Sequence, residues 1–143
     1  MTKIIITIVL FLVGSSLSAQ ENNSIRQNGN DITVSILKIP NSKGIIRFAL
    51  YVEKDFLVNP ILREIGSIKN GKTEVTFKNV PNNVYSIVCY HDINENNKLD
   101  FATNGMPLED VGVSNGYVQF GPPNFNDTKF IMDGTSLNLE IKF

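Results

Sequence analysis

The sequence predicts an all-β fold, an antiparallel β-sandwich, from three observations. Several short runs alternate apolar with polar residues, which is the pattern of a half-buried strand. Turn-forming residues separate these runs at short intervals, as expected for strands that reverse direction. No segment of the domain shows a convincing amphipathic helix. This pattern predicts about seven strands in an immunoglobulin-like or prealbumin-like sandwich with one long ordered loop.

The first two strands are predicted from alternation. In the first, Ile32, Val34 and Ile36 alternate with hydroxyl residues. Residues 40–44 (PNSKG) have the composition of a turn. The second strand has one apolar face, made by Ile46, Phe48, Leu50 and Val52. We expect both strands to turn one face towards the core.

The segment after the second strand is the least regular part of the pattern. Residues 55–66 contain Pro60 and are predicted to be irregular, with a short helical turn at 61–65. Asn70 and Gly71 then form a strong turn signal, because both residues adopt a positive φ at little cost. We therefore expect a tight turn before the next strand.

Three more strands follow. Val75 and Phe77 alternate with polar residues and predict a half-buried strand. Residues 85–91 are apolar on both faces, as in a central strand. The last strand has one apolar face, made by Leu137, Leu139, Ile141 and Phe143.

The N-terminal residues predict export. Lys3 precedes an apolar run of ten residues, 4–13, and small residues then lead to Ala19. This order predicts a signal peptide, residues 1–19, and a secreted or periplasmic protein. The alternative is a membrane anchor, but the run is shorter than the ~20 residues that span a bilayer. We therefore expect no membrane insertion after cleavage.

The remaining chain is predicted to be one domain. Residues 20–30 are polar and aperiodic and should form a flexible leader, and residues 31–143 should form the sandwich. The formal net charge of −1 suggests neither nucleic acid nor an anionic membrane as a partner. Cys89 is the only cysteine, so we expect a buried thiol and no internal disulfide.

Residues 92–126 form an unusually long connection that is poor in alternation. A connection of this length is uncommon in a compact domain unless it is functional or disordered. We expect it to be ordered, because its apolar side chains could hold it against the sandwich. These are Leu99, Phe101, Met106, Val111, Val113, Tyr117, Val118, Phe120 and Phe125.

The start of this connection resembles a loop that binds a divalent cation. Between residues 92 and 110 there are five acidic residues and only one basic residue, Lys98. Oxygen ligands recur at alternate positions from Asp92, which suits calcium, an ion that takes six to eight oxygens. The predicted ligands are the side chains of Asp92, Asn94, Asn96, Asp100 and Glu109 and the backbone carbonyl of Lys98. Asn97 stands where such a loop needs a left-handed residue.

Two interpretations of this loop remain open, a cation site and a set of Asx turns. Thr103 occupies the position at which an EF-hand has its bidentate glutamate, so the loop is not an EF-hand. Alternating Asp and Asn also arise where their side chains bond their own backbone in Asx turns. Zinc is not predicted, because His91 and Cys89 are the only imidazole and thiol.

Four motifs stand out in the second half of the chain: residues 91–100 (HDINENNKLD), 105–109 (GMPLE), 112–115 (GVSN) and 121–125 (GPPNF). Together they resemble a family of secreted bacterial proteins, domain-of-unknown-function family 2141. The resemblance covers most of the mature chain and implies export and a β-sandwich. Two departures from the family pattern are Asn97, in place of a glycine, and residues 110–111. The loop is also similar to the calcium loops of bacterial surface-adhesin B-type repeats, which implies a structural calcium.

The sequence favours a non-enzymatic exported module that binds a protein or cell-surface partner or has a structural role. Ser114 is not in a nucleophile-elbow motif, and His91 would have to serve any catalytic triad. The alternative is a small-ligand carrier, or a hydrolase-like enzyme, that uses residues 92–126 as its pocket. His91, Asp100 and Glu109 around a cleft would favour that alternative.

Overall fold

Two β-sheets form the computed structural model, which describes residues 29–116, 118 and 121–143. The strands are β1 (Asn30–Ile36), β2 (Ile45–Tyr51), β3 (Leu62–Ser67), β4 (Thr73–Val80), β5 (Asn83–Asp92), β6 (Val111–Val113), β7 (Phe130–Met132) and β8 (Leu137–Glu140). A 3-10 turn (Glu53–Asp55) and one helical turn, α1 (Phe125–Thr128), complete the described elements. The predicted signal peptide, 1–19, and the predicted leader up to residue 28 lie outside the described residues. No helix in the described part of the chain has the length and apolar character needed to cross a membrane.

The sheets confirm the predicted all-β sandwich. One sheet has the order β4-β1-β8, and the other has the order β3-β2-β5-β6 with β7 also paired to β5. One pair departs from the antiparallel prediction, because β8 runs parallel to β1. β8 follows β7, which belongs to the opposite sheet, so the last connection crosses the sandwich instead of making a hairpin.

The core lies between the two sheets and is supplied by the predicted alternation. Ile32, Val34 and Ile36 of β1 are fully buried, and β2 contributes Phe48 and Leu50 from the facing sheet. Burying one such side chain contributes about 1.5–3 kcal/mol. The alternate residues of β2 therefore face outwards, away from the core.

The predicted tight turn at Asn70 and Gly71 is confirmed. Both residues have a positive φ, 52° and 69°, and Lys69 pairs with Lys72 across the turn. Two positive φ values in succession match the right-handed twist of the strands on either side. The turn joins β3 to β4, which lie in different sheets.

The predicted helical turn at residues 61–65 is wrong. Leu62–Ser67 is strand β3, which pairs along its length with β2. Most of its residues are exposed, so β3 lacks the alternation that marks the other strands. Backbone hydrogen bonds to β2, rather than a local apolar pattern, determine its conformation.

Candidate functional site

Asp92 ends strand β5 beneath the outer face of the five-stranded sheet. Its side chain is 0% exposed, and Oδ2 accepts hydrogen bonds from Arg47 Nε at 2.5 Å and from the Asn97 amide at 3.0 Å. Oδ1 accepts from the Asn96 amide at 3.0 Å. Burial acts to raise the pKa of Asp92, but the Arg47 guanidinium and the two amides outweigh it and hold the pKa below its ordinary value. Asp92 is therefore an ionised anchor for the start of the loop.

Glu109 closes the same loop from its far end. This carboxylate is only 8% exposed. Its Oε1 accepts from the Ile93 amide at 3.0 Å, and its Oε2 accepts from the Asp100 amide at 3.2 Å. One side chain thus fastens both ends of residues 93–100.

Asn94, Asn96 and Asp100 meet on the exposed side of the loop. Asn94 Nδ2 donates to Asp100 Oδ2 at 2.8 Å, and Asn96 Nδ2 donates to the same oxygen at 2.9 Å. The Asn94 and Asn96 side-chain oxygens accept from the Asn96 and Lys98 amides, respectively, as Asx turns. Asn97 takes the predicted left-handed conformation, with φ at 66°. Five predicted ligands therefore share one network through their side chains, and Lys98 joins it through its amide.

This network fits calcium only in part. Every carboxylate oxygen of Asp92 and Glu109 already accepts at least one hydrogen bond, from Arg47 or from a backbone amide. Within the described ranges, no three acidic, histidine or cysteine side chains are grouped so that they could hold a metal ion. The exposed oxygens of Asn94, Asn96 and Asp100 are the donors that an ion could still reach.

The tip of the long loop is held differently from the prediction. The side chains of Phe101 and Met106 are 57% and 52% exposed, so the prediction that they hold the loop down is wrong. Backbone bonds replace them: the Ala102 amide donates to the Met106 carbonyl at 2.8 Å. The predicted anchors Val113 and Phe125 are buried. Tyr117 and Phe120 lie outside the described residues.

His91 and Cys89 are core residues of β5. His91 is fully buried, its Nε2 donates to the Lys43 carbonyl at 2.7 Å, and its ring stacks on Phe143 with centroids 6.2 Å apart. A carbonyl only accepts, so Nε2 carries a proton, and the buried Nδ1 has no hydrogen-bond partner among the described residues. Cys89 is fully buried as predicted, and burial raises the pKa of its thiol far above the ordinary value.

Ser114 belongs to a buried polar cluster that the sequence did not reveal. Its Oγ accepts from the Ile87 amide at 2.8 Å and donates to the Thr128 carbonyl at 2.7 Å. Thr128 Oγ1 lies 2.7 Å from Ser86 Oγ. These bonds fasten the end of β6 and helix α1 to β5, which is a structural role.

Replacing Ser114 with alanine should cost about 1–3 kcal/mol of unfolding free energy, because the buried Ile87 amide loses its side-chain acceptor. Urea denaturation of the variant would measure this loss. The exposed Ser67, on the edge strand β3, provides the control, since its replacement by alanine should change stability by less than about 0.5 kcal/mol. Equal effects at the two serines would contradict the structural role.

A concavity of about 360 Å³ lies on the outer face of the five-stranded sheet. Its lining residues are Arg47, Phe48, Ala49, Tyr51, Arg63, Glu64, Ile65, Val88, Tyr90 and Asn97. Register places Ala49 at its centre, opposite Arg63 on β3 and Val88 on β5. Asn97 brings the acidic loop to its rim. The polar residues on the outward side of β2 were the only sequence signal for this surface.

The family-model comparison identifies the chain. A model described as "Uncharacterized protein conserved in bacteria (DUF2141)" matches residues 34–140. The chain belongs to the DUF2141 family. The match runs from β1 to the end of β8 and confirms the resemblance seen in the motifs. Comparisons with curated proteins and with solved structures found no match.

The DUF2141 motifs of this chain supply several of its structural contacts. Asp92 and Glu109 hold the loop, and Ser114 fastens β6 to β5. Phe125, in the last motif, is buried and packs edge-on against Phe56, with ring centroids 5.4 Å apart. In this DUF2141 protein these motif residues thus have structural contacts, and Asn97 of the first motif also lines the outer-face concavity.

Proposed function

We propose that this DUF2141 protein is an exported, non-enzymatic binding module whose ligand site is the concavity around Ala49. The observation that carries the proposal is the position of that concavity, on a rigid sheet face and beside a loop fastened by Asp92 and Glu109. Small-ligand sites are typically preformed concavities with apolar walls and a few polar groups. The non-enzymatic role is supported by the burial of His91 and Ser114, which keeps both side chains away from the concavity, and by the engagement of the Ser114 hydroxyl with the Thr128 carbonyl.

A plugging variant tests this proposal. Ala49→Phe would fill the concavity, while Thr33→Phe would add a similar volume to the outer face of the other sheet. We would screen a small-molecule library for compounds that raise the melting temperature of the mature protein. Hits should lose their effect on Ala49→Phe and keep it on Thr33→Phe. Hits that survive in both variants, or a screen without hits, would overturn the proposal.

Export is the part of the proposal that rests on residues 1–19. When the full chain is expressed in a bacterium with a general secretory pathway, the mature protein should begin at Gln20 and appear in the soluble periplasmic or secreted fraction. N-terminal sequencing of that fraction would show this. Met1 retained in a membrane pellet would contradict export.

A calcium ion on the exposed side of the loop is the second candidate role. The observation that favours it is the convergence of the Asn94 and Asn96 amides on the Asp100 carboxylate. Half a turn of both amide groups would exchange each nitrogen for an oxygen and point two more oxygens at the same place. That exchange gives up the Asx-turn bonds, so the ion should bind weakly and keep several waters.

Calcium at ten times its dissociation constant should add about 1.4 kcal/mol to the free energy of unfolding. We expect a melting temperature several degrees higher in millimolar calcium than in chelator. Asp100→Asn should abolish the difference, while Asp133→Asn, in a distant exposed turn, should preserve it. Identical melting in calcium and chelator would leave the loop as an Asx-turn scaffold.

A further inference from the structure

We infer that the concavity around Ala49 takes a small organic anion with a planar apolar body, such as an aromatic carboxylate. This inference rests on the proposed function and adds the chemical class of the ligand. It is carried by the arrangement of two arginines and two tyrosines around an apolar floor.

The two arginines lie on one rim of the concavity. Arg63 is opposite Ala49 on the neighbouring strand, and Arg47 is two residues before Ala49 on β2, so the arginines are diagonal neighbours. Such neighbours have Cβ atoms about 7–8 Å apart, within reach of a shared ligand. Among the described residues, Arg63 has no ion-pair partner, and Arg47 uses only Nε. Its two terminal amino groups remain available to a carboxylate.

The acidic groups near these arginines do not face the ligand space. Asp92 is 0% exposed and is bonded to Arg47 Nε, and Glu109 is only 8% exposed. Glu64 also lines the concavity, but it pairs with Phe48, whose side chain is in the core, so strand alternation directs the Glu64 side chain away from the outer face. A ligand on the outer face therefore meets the Arg63 guanidinium, which has no ion-pair partner among the described residues, and the two terminal amino groups of Arg47, whose charge is already paired with Asp92.

The other walls suit a flat apolar group. Ala49 and Val88 form the floor, and Ile65, 58% exposed, extends it on β3. The half-buried rings of Tyr51 and Tyr90 flank this floor and offer aromatic surfaces for contact with a planar ligand. Burial raises the pKa of both phenols, although a nearby arginine partly offsets the effect, so both remain neutral hydroxyl donors. The small volume limits the ligand to one or two rings.

A matched pair of probes tests the ligand class. Calorimetry or NMR titration would compare 2-naphthoate with its neutral alcohol, 2-naphthalenemethanol, on the mature protein. Naphthoate should bind at least tenfold more tightly, and added salt should weaken it. Arg63→Gln should reduce its affinity to about that of the alcohol. Lys72→Gln, which removes an exposed charge outside the concavity, should leave the preference intact.

The outcomes separate the two proposals. Equal binding of acid and alcohol, with both lost in Ala49→Phe, would overturn the anion inference and retain the binding site. Binding of either probe that persists in Ala49→Phe would overturn the site itself. A preference for naphthoate that persists in Arg63→Gln would also contradict the inference, and so would failure of both probes to bind.

Discussion

Replacing Arg47 with methionine is expected to lower the free energy of unfolding by about 2–4 kcal/mol. The change leaves the fully buried Asp92 carboxylate without its cation, and removal of one partner from a buried pair typically costs 3–5 kcal/mol. The arginine side chain is 20% exposed, so water can reach the site and reduces the loss of unfolding free energy. Urea denaturation would measure it. Arg63→Gln removes the same charge from an exposed position and should cost less than about 0.5 kcal/mol.

The same ion pair predicts a pH dependence. The pKa of Asp92 in the folded state lies below its ordinary value of 3.8, so its ionisation stabilises the fold above about pH 4. This contribution is lost as the pH falls through the folded-state pKa. The wild type should therefore lose more stability on acidification below pH 4 than Asp92→Asn does. Parallel stability curves for the two proteins, or an unchanged stability of Arg47→Met, would contradict the anchoring role of Asp92.

Replacing Glu109 with alanine is the second large effect that we expect. The amides of Ile93 and Asp100 lose their acceptor, and each hydrogen bond to a charged group contributes about 1.5–3 kcal/mol. Water can reach part of the opened loop, so the net loss should be about 2–3 kcal/mol. Amide hydrogen exchange at these two positions should also accelerate, because their local opening no longer has to break the bonds to Glu109.

Glu95→Ala is the matched control for this variant. Glu95 is an exposed acid of the same loop, and no hydrogen bond to its side chain is present among the described residues. It should change neither the exchange rates at positions 93 and 100 nor the midpoint in urea. Unchanged exchange at those positions in Glu109→Ala would show that the loop is held by something other than this carboxylate.

The strands that have one buried face and one exposed face were predictable from the sequence. Alternation predicts β1, β2 and β4, because core and solvent impose opposite preferences on successive residues. β3 escaped prediction because Leu62–Ser67 is mostly exposed and its partner strand begins 17 residues earlier. The parallel pairing of β8 was equally hidden, because a hydrophobic pattern carries no information on strand direction.

The residues of the loop were predictable from the sequence, but the residues that they bind were not. The spacing of Asp92, Asn94 and Asn96 predicts a tight loop rich in side-chain oxygens, and the structure has that loop. Arg47, the cation that Asp92 binds, is 45 residues away in sequence. Only the pairing of β2 with β5 brings the two together. The Ala49 concavity is likewise a product of three strands in register, which no local pattern reveals.

An NMR titration of the isotope-labelled mature protein with a stabilising ligand tests the central claim most directly. If the outer face of the five-stranded sheet is the binding surface, the largest shifts should occur at the amides of Ala49, Val88 and Tyr90 and at the Arg47 Nε proton. The amides of β1 and β8, in the other sheet, should move little. Shifts confined to the exposed tip at residues 101–108, or to β1 and β8, would contradict the proposed site.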